Sequence, residues 1–284
     1  MTDTPTTPAN RCYRHPDRET FVRCQRCGRY ICGQCQTVAP VGVHCPECVR
    51  EAQQSSPSSR PMTTRIARAF APGSQRPVVT YSLIAISVIV FILEVVTGLN
   101  PITGGGNSAV ELWLSYQPGD ITAAPWTLIS IDFTHASALH LLFNMYSLFV
   151  VGPPLERFLG RGRFIALYFI TGLGAVVAVD FFVPQGALGA SGAIFGLLGA
   201  LLILARTMGL RSGQLVAVIV LNLAIGYFVP SIAWQAHLGG LIVGLLLGFV
   251  LLKTRRNTRM PLQVAAFIVA AVGLIVSLFA HIFA

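Results

Sequence analysis

The sequence predicts an all-α polytopic membrane protein preceded by a small metal-binding module. Three observations carry that expectation. Hydrophobic residues make up 54% of the 284 and charged ones only 11%, against roughly 25% charged in an ordinary soluble domain. Apolar runs of near-membrane length recur from residue 78 to the C-terminus. All seven cysteines fall between Cys12 and Cys48, apart from those runs. The net charge of +9 would suit a nucleic-acid partner if it covered one soluble face. Most basic residues instead sit in the N-terminal segment or in short loops between apolar runs, where they read as topology signals. No nucleic acid is therefore expected as a partner. The first 70 residues contain no apolar stretch of the kind a secretory signal peptide needs.

Residues 1–50 form the cysteine module, opened by a Pro/Thr-rich tail over 1–10. Residues 51–76, EAQQSSPSSRPMTTRIARAFAPGSQR, read as a flexible basic linker. Met62–Phe70 within it is compatible with a short basic helix on a lipid surface, but linker is the simpler reading. Seven apolar runs follow, at about 78–97, 137–155, 163–183, 191–205, 214–229, 235–252 and 262–283, each a candidate membrane helix. The first six belong to one domain over 77–252, and 253–284 adds a cytoplasmic loop and a seventh helix. The long loop at about 98–136 carries Trp113, Tyr116 and Trp126, which suit a membrane interface. Lys and Arg set the orientation. Arg157, Arg161 and Arg163 follow the second run, Arg206 and Arg211 the fourth, and Lys253, Arg255, Arg256 and Arg259 the sixth. The alternate loops and the C-terminus contain none, so the N-terminus is expected in the cytoplasm and the C-terminus outside.

Within the module the order is Cys12-x2-His15, Cys24-x2-Cys27, Cys32-x2-Cys35, then His44 and Cys45-x2-Cys48. Four close pairs of soft ligands make two tetrahedral zinc sites. A reducing cytoplasm argues against disulfides, and free thiols would not fall in such regular pairs. So short a segment has little core of its own, and metal would supply its folding energy. The arrangement resembles a B-box-like or cross-brace zinc finger. That pairing puts Cys12, His15, Cys32 and Cys35 on one ion and Cys24, Cys27, Cys45 and Cys48 on the other. Sequential pairing is an alternative, and so is His44 in place of Cys45. No open coordination position is implied, so the metals are structural. The module's surface is then left for a cytoplasmic protein partner.

Hydrogen-bonding and ionisable groups inside a bilayer are expensive and functional by default. The candidates are His140, Asn144, Ser191, Asn222 and His237. Ser191 precedes Arg206 by 15 residues and His237 precedes Lys253 by 16, or about 22 and 24 Å along a helix. His140 and Asn144 precede Glu156 by 16 and 12 residues, or about 24 and 18 Å. Four polar groups from three helices thus share one level inside a hydrocarbon core about 30 Å thick. The fourth run is too short to span alone, so its helix begins at Ser191 and the preceding VPQGALGA is irregular backbone at membrane depth. Such backbone is tolerated where protein buries it or water reaches it, which puts Ser191 at the foot of a water-filled cavity. Gly192, Gly196 and Gly199 form a small-residue face, matched by Gly240 and Gly244 after His237, so the two helices can approach closely.

A serine in a small-residue face more often packs than reacts, and a buried His or a His–Asn pair has structural uses. The shared depth favours chemistry instead. Ser191 is then the nucleophile and His237 the base and later acid. His140, Asn144 and the Ser191 backbone N–H are donors to an oxyanion. No acid aligns behind His237, so the arrangement reads as a dyad. Asn222 reads as an interhelical hydrogen bond and His281 as an interfacial residue.

At these residues the chain resembles a rhomboid intramembrane serine protease, over about 78–252. HASALHLLFNM (135–145) is similar to the family's second-helix motif, with His140 and Asn144 at the oxyanion positions. GASGAIFG (189–196) is similar to its nucleophile motif and AHLGGLIVG (236–244) to its general-base helix. GPPLERFLG (152–160) looks like its cytoplasmic turn between the second and third helices. Two positions depart from the pattern. Trp126 is followed by Thr127 where many members carry Trp-Arg, and Phe195 stands where Tyr is frequent, although a Phe ring can still stack on His237.

The resemblance implies a rhomboid-like six-helix bundle plus a seventh C-terminal helix, in a multi-pass protein of the cell membrane. It implies cofactor-free hydrolysis of peptide bonds in or near the membrane segments of transmembrane protein substrates. A small side chain before the cut, and entry past a mobile helix and loop cap, belong to the same picture. Two rival readings are a non-catalytic rhomboid-like factor that binds and retains membrane proteins, and a small transporter. Retention of Ser191, His237, His140 and Asn144 disfavours the first. The lack of a paired charge network in the apolar runs disfavours the second.

Overall fold

The computed structural model describes residues 10–39, 41–55, 76–119, 121–210, 212–254 and 260–282. The chain divides into two compact units, Met1–Pro61 and Met62–Ala284.

In the first unit, β1 (Arg11–Cys12) pairs antiparallel with β2 (His15–Glu19), and β3 (Thr37–Val38) with β4 (Val43–His44). A 3-10 turn at Gly33–Cys35 separates the two ribbons. Helix α1 (Pro46–Ser55) closes the unit, with proline in the first helical position, where its missing N–H costs nothing. The module is thus a short-stranded unit separate from the helical membrane unit. Ribbons this short do not stand alone in water. Ile31 and six of the seven cysteines are buried and form nearly the whole core. The expected linker 51–76 overlaps α1 over 51–55; residues 56–75, including the Met62–Phe70 stretch, lie outside the described residues.

The second unit is helical. Its elements are α2 (Val78–Val96), the short α3 (Ala109–Leu114) and α4 (Thr127–Ser130), then α5 (Ala138–Leu159) and α6 (Arg161–Phe182). They continue with α7 (Ser191–Met208), α8 (Ser212–Phe228), α9 (Trp234–Lys253) and α10 (Met260–Ile282). Among the described residues six helices are long and apolar enough to cross a membrane, and the protein is a multi-pass membrane protein. Helix α8 is apolar but has only 17 residues. Helix α7 is longer than its apolar run, 18 residues rather than one too short to span, because Arg206 and Thr207 continue the helix to a left-handed Gly209 cap. It is also the centre of the bundle: 78% of its span is buried, against 17% for α10.

Close approach of α7 and α9 rests on glycine. A methyl group at Gly240 or Gly244 would collide with the carbonyl oxygens of Gly192 and Gly196. Gly192 and Gly196 themselves clear space toward α6, against Ala175 and Thr171. The small-residue face expected on α7 is therefore split between two neighbours.

Helix α2 begins at Pro77 with no capping side chain of its own. The Glu156 carboxylate caps it from α5, accepting from Val79 N at 3.0 Å, Thr80 N at 2.8 Å and Thr80 Oγ1 at 2.7 Å. The turn expected over 152–160 shrinks to Gly160 alone, at φ +84°. Proline's φ near −65° is already helical, so Pro153 and Pro154 stay inside α5. The chain reverses only where glycine takes a left-handed φ.

The long loop is folded rather than open. Ser108 caps α3, Trp126 Nε1 donates to the Trp113 carbonyl at 2.8 Å, and Ser130 Oγ donates to the Leu114 carbonyl at 2.8 Å. Trp113 and Trp126 are exposed, as suits an interface, but Tyr116 is fully buried because its hydroxyl finds Asp180 Oδ1 at 2.6 Å. Asp180 also accepts from Gly119 N at 3.2 Å and pairs through Oδ2 with His281 Nδ1 at 2.7 Å. His281 also stacks on Phe181, so it ties α10 to α6. Among the described residues Asn222 makes no interhelical bond of the kind expected. Its amide donates to Val218 O on its own helix at 2.8 Å.

Candidate functional site

Ser191 opens α7. The segment before it is irregular and is pinned to the long loop by Ala187 N to Tyr116 O at 3.4 Å and Gly189 N to Ile131 O at 3.0 Å. Gly186 and Gly189 take positive φ of 71° and 113° there, values an L side chain resists. His237 lies in the first turn of α9, and its Nε2 is 2.8 Å from Ser191 Oγ. The imidazole stacks on Phe195, with centroids 4.3 Å apart and planes 8° from parallel. The ring is thereby held in one plane without help from a tyrosine hydroxyl. With Nε2 accepting from the serine, the ring proton sits on Nδ1, a buried atom that has no hydrogen-bond partner among the described residues.

His140 reaches the same place from α5. Ser137 caps that helix by accepting from His140 N at 3.3 Å. The imidazole lies against Gly189, where a methyl group would stand 2.6 Å from Cε1 and 2.9 Å from Nε2. One turn on, Asn144 is buried, and its Nδ2 donates to the His140 carbonyl at 2.9 Å. That amide carries a second N–H. Ser191 and His237 are thus directly bonded, His140 packs beside the turn leading to Ser191, and Asn144 lies behind His140 on the same helix.

One further polar residue, His135, touches this group, and two more, Glu94 and Asp132, are buried in the same unit. His135 is fully buried, its ring edge-on to His140 at 5.2 Å, and its backbone N–H donates to the Glu94 carboxylate at 3.3 and 3.4 Å. Asp132 is buried with Oδ2 unpartnered against Gly172. The signal for each was a lone ionisable residue beside or within an apolar run.

In the cysteine module two groups of ligand atoms gather, each within 4.8 Å of one another: Cys12, His15, Cys32 and Cys35, and Cys24, Cys27, Cys45 and Cys48. This is the interleaved pairing, not the sequential one, and it uses Cys45 rather than His44. His15 Nδ1 stands 3.8, 3.4 and 3.4 Å from the sulfurs of Cys12, Cys32 and Cys35, and Cys27 and Cys45 sulfurs are 3.7 Å apart. A zinc tetrahedron with bonds of about 2.3 Å to sulfur and 2.0 Å to nitrogen has edges of about 3.5–3.8 Å, so the residues fit a metal. Burial would raise the Cys24 thiol, but backbone N–H groups of Cys27 and Cys45 outweigh it and bring its pKa down to about 6. Burial and the neighbouring sulfurs push Cys35 up to about 11. A cation is what would let all four ligands of a group lose their protons together.

A serine hydroxyl bonded to an imidazole at a helix start, inside a polytopic helical bundle, defines a membrane protein with a hydrogen-bonded Ser–His pair in its core. Residues 122–254 match the Rhomboid domain model. The putative rhomboid protease YdcA of Bacillus subtilis is 32% identical over 162 residues, covering 52% of this chain and 80% of that protein. This chain belongs to the rhomboid family. Rhomboid protease GluP of Bacillus subtilis is 35% identical over 176 residues, 60% of this chain and 34% of GluP. RHOMBOID-like protein 5 of Arabidopsis thaliana is 43% identical over 137 residues, 45% of this chain and 44% of that protein. The chain thus spans a third to under half of the length of these two relatives.

Proposed function

We propose that the protein is an intramembrane serine protease that cuts peptide bonds in or near the transmembrane segments of other membrane proteins. The observation that carries this reading is the 2.8 Å contact between Ser191 Oγ and His237 Nε2, with the imidazole clamped on Phe195. Nε2 takes the hydroxyl proton as Ser191 attacks the scissile carbonyl carbon. The oxygen that gains charge is met by the Ser191 backbone N–H, by His140 and by the Asn144 amide, which must turn from the His140 carbonyl. The imidazolium then gives its proton to the leaving amine, and water, deprotonated by the same Nε2, releases the acyl chain. No cofactor enters these steps. Water and substrate reach Ser191 from the side of the membrane toward which the 183–190 turn faces.

The Lys/Arg phase supports an N-terminus in the cytoplasm and a C-terminus outside, in the cell membrane. The two ligand groups support a structural zinc ion at each, in a B-box-like finger over 1–50 with a cytoplasmic protein as its partner. The proposed organisation continues with a basic linker to residue 76, a protease bundle over 77–252 and a seventh-helix segment over 253–284.

The test is the pure protein reconstituted with a model transmembrane substrate. Wild type should cleave it and take a fluorophosphonate on Ser191. Ser191→Ala and His237→Ala should do neither, while melting close to wild type. Asn144→Ala should keep a remnant, losing about 100-fold in kcat, the value of one oxyanion donor among several. Full cleavage by Ser191→Ala would leave only a binding or retention role for the fold.

A further inference from the structure

A cleft of about 540 Å³ lies between the first half of α6 and the first half of α10, a volume in the range of built ligand pockets. Its walls are apolar, with Ala166 and Ile170 on one side and Val264, Phe267 and Ile268 on the other. Its polar side chains gather at one end, where Arg161, Arg163 and Gln263 line it. Arg163 is fixed there, donating through Nε to Gln263 Oε1 at 2.8 Å and through Nη1 to the Leu159 carbonyl at 3.2 Å. Arg161 is exposed, and its guanidinium makes a long 3.5 Å approach to the Arg76 carbonyl. None of the lining residues belongs to the Ser191–His237 site.

The dimensions match one leaflet. The lining runs from Arg161 to Ile170 on α6 and from Met260 to Ala271 on α10, ten and twelve residues, or about 14 and 17 Å of helix between their end residues. Half of a hydrocarbon core is about 15 Å. We propose that this cleft holds one anionic diacyl phospholipid, an acyl chain in the slot and the phosphate on the Arg161 guanidinium. Charge complementarity selects the occupant: a basic pocket at the end of a groove between membrane helices takes an anionic head group, and a planar guanidinium suits phosphate oxygens. The lipid completes the packing of α10, whose span is the least buried of the six. The inference concerns the seventh helix and stands whether or not the protein cleaves peptides.

The experiment uses the full chain in nanodiscs of phosphatidylcholine with a minority of phosphatidylglycerol, released into mild detergent and weighed by native mass spectrometry. Wild type should keep one phosphatidylglycerol per chain. Arg161→Gln should lower the preference over phosphatidylcholine by about fivefold, the value of one arginine at an anionic head group. Ala271→Phe, which fills the slot and leaves the charge alone, should release the lipid, with thermal melting used to show that both variants stay folded. Glycerol 3-phosphate, the head group without chains, should not displace it. Equal retention of the two lipids by wild type would overturn the proposal. So would undiminished retention by Ala271→Phe, an unchanged preference in Arg161→Gln, or displacement by glycerol 3-phosphate.

Discussion

Gly189 shows how tightly the candidate site is drawn at the level of single residues. Its φ of +113° is one that alanine holds only under strain, and its missing side chain is the space occupied by the His140 ring. Gly189→Ala must therefore either distort the turn that delivers Ser191 or push His140 off its position. The backbone strain alone is worth about 1–3 kcal/mol. The variant should lose about 100-fold in kcat on a model substrate, as expected of a displaced oxyanion donor, with a drop of only a few degrees in melting temperature. Unchanged turnover would mean that His140 is not held in place by this contact. Ser191, His237, His140 and Asn144 were singled out in the sequence by a common depth, which needs only the Lys/Arg phase and a rise of about 1.5 Å per residue, and the fold puts Ser191 beside His237 and His140 beside Gly189. Glu94, Asp132 and His135 were not, since each finds its surroundings in a different element. Asp180 was illegible for the same reason, with partners at Tyr116 and His281 far along the chain.

At the level of elements, helix ends decide the packing. The α2 N-terminus has three donors that the Glu156 carboxylate accepts from, and both Glu156 and Thr80 are buried. Glu156→Ala would leave those donors without a partner, at about 1–3 kcal/mol for each one that water fails to reach. A loss of about 3 kcal/mol in unfolding free energy in mixed micelles is expected, with faster amide exchange in the first turn of α2. Glu156→Gln, which keeps one acceptor oxygen, should lose less. If Glu156→Ala melts with wild type, α2 takes its register from lipid-facing packing instead. The runs themselves were readable as helices from apolar length, but their ends were not. Two prolines in sequence look like a turn, yet the bend waits for Gly160, and Glu156 beside them looks like a loop charge until α2 is packed against it. The long loop was equally opaque: Tyr116 carries an interfacial side chain in sequence and a core one in the fold, because a carboxylate lies below it.

For the molecule as a whole, the division into two compact units separates two sources of stability. The bundle is held by apolar packing around α7. Among its described residues the module's core has little beyond Ile31 and its cysteines, so under the zinc-finger proposal its folding energy comes from metal. The four close ligand pairs were legible from spacing, but their interleaved grouping was favoured only through the resemblance to a cross-brace finger and needed the fold to separate it from sequential pairing. The strands were not legible, since segments of two to five residues carry no periodic signal. A strong chelator should therefore unfold one unit and spare the other. Elemental analysis of the pure protein should find two zinc ions, one for each group of four ligands. After chelation, amide exchange over residues 10–55 should rise to that of an unstructured chain, while exchange in α7 and α9 stays slow. Cleavage of a model transmembrane substrate should remain within about twofold, because no atom of the Ser191–His237 pair depends on the metal. Readdition of zinc should restore protection. Loss of cleavage in step with loss of zinc, with α7 and α9 still protected, would show that the module controls the bundle rather than merely riding beside it.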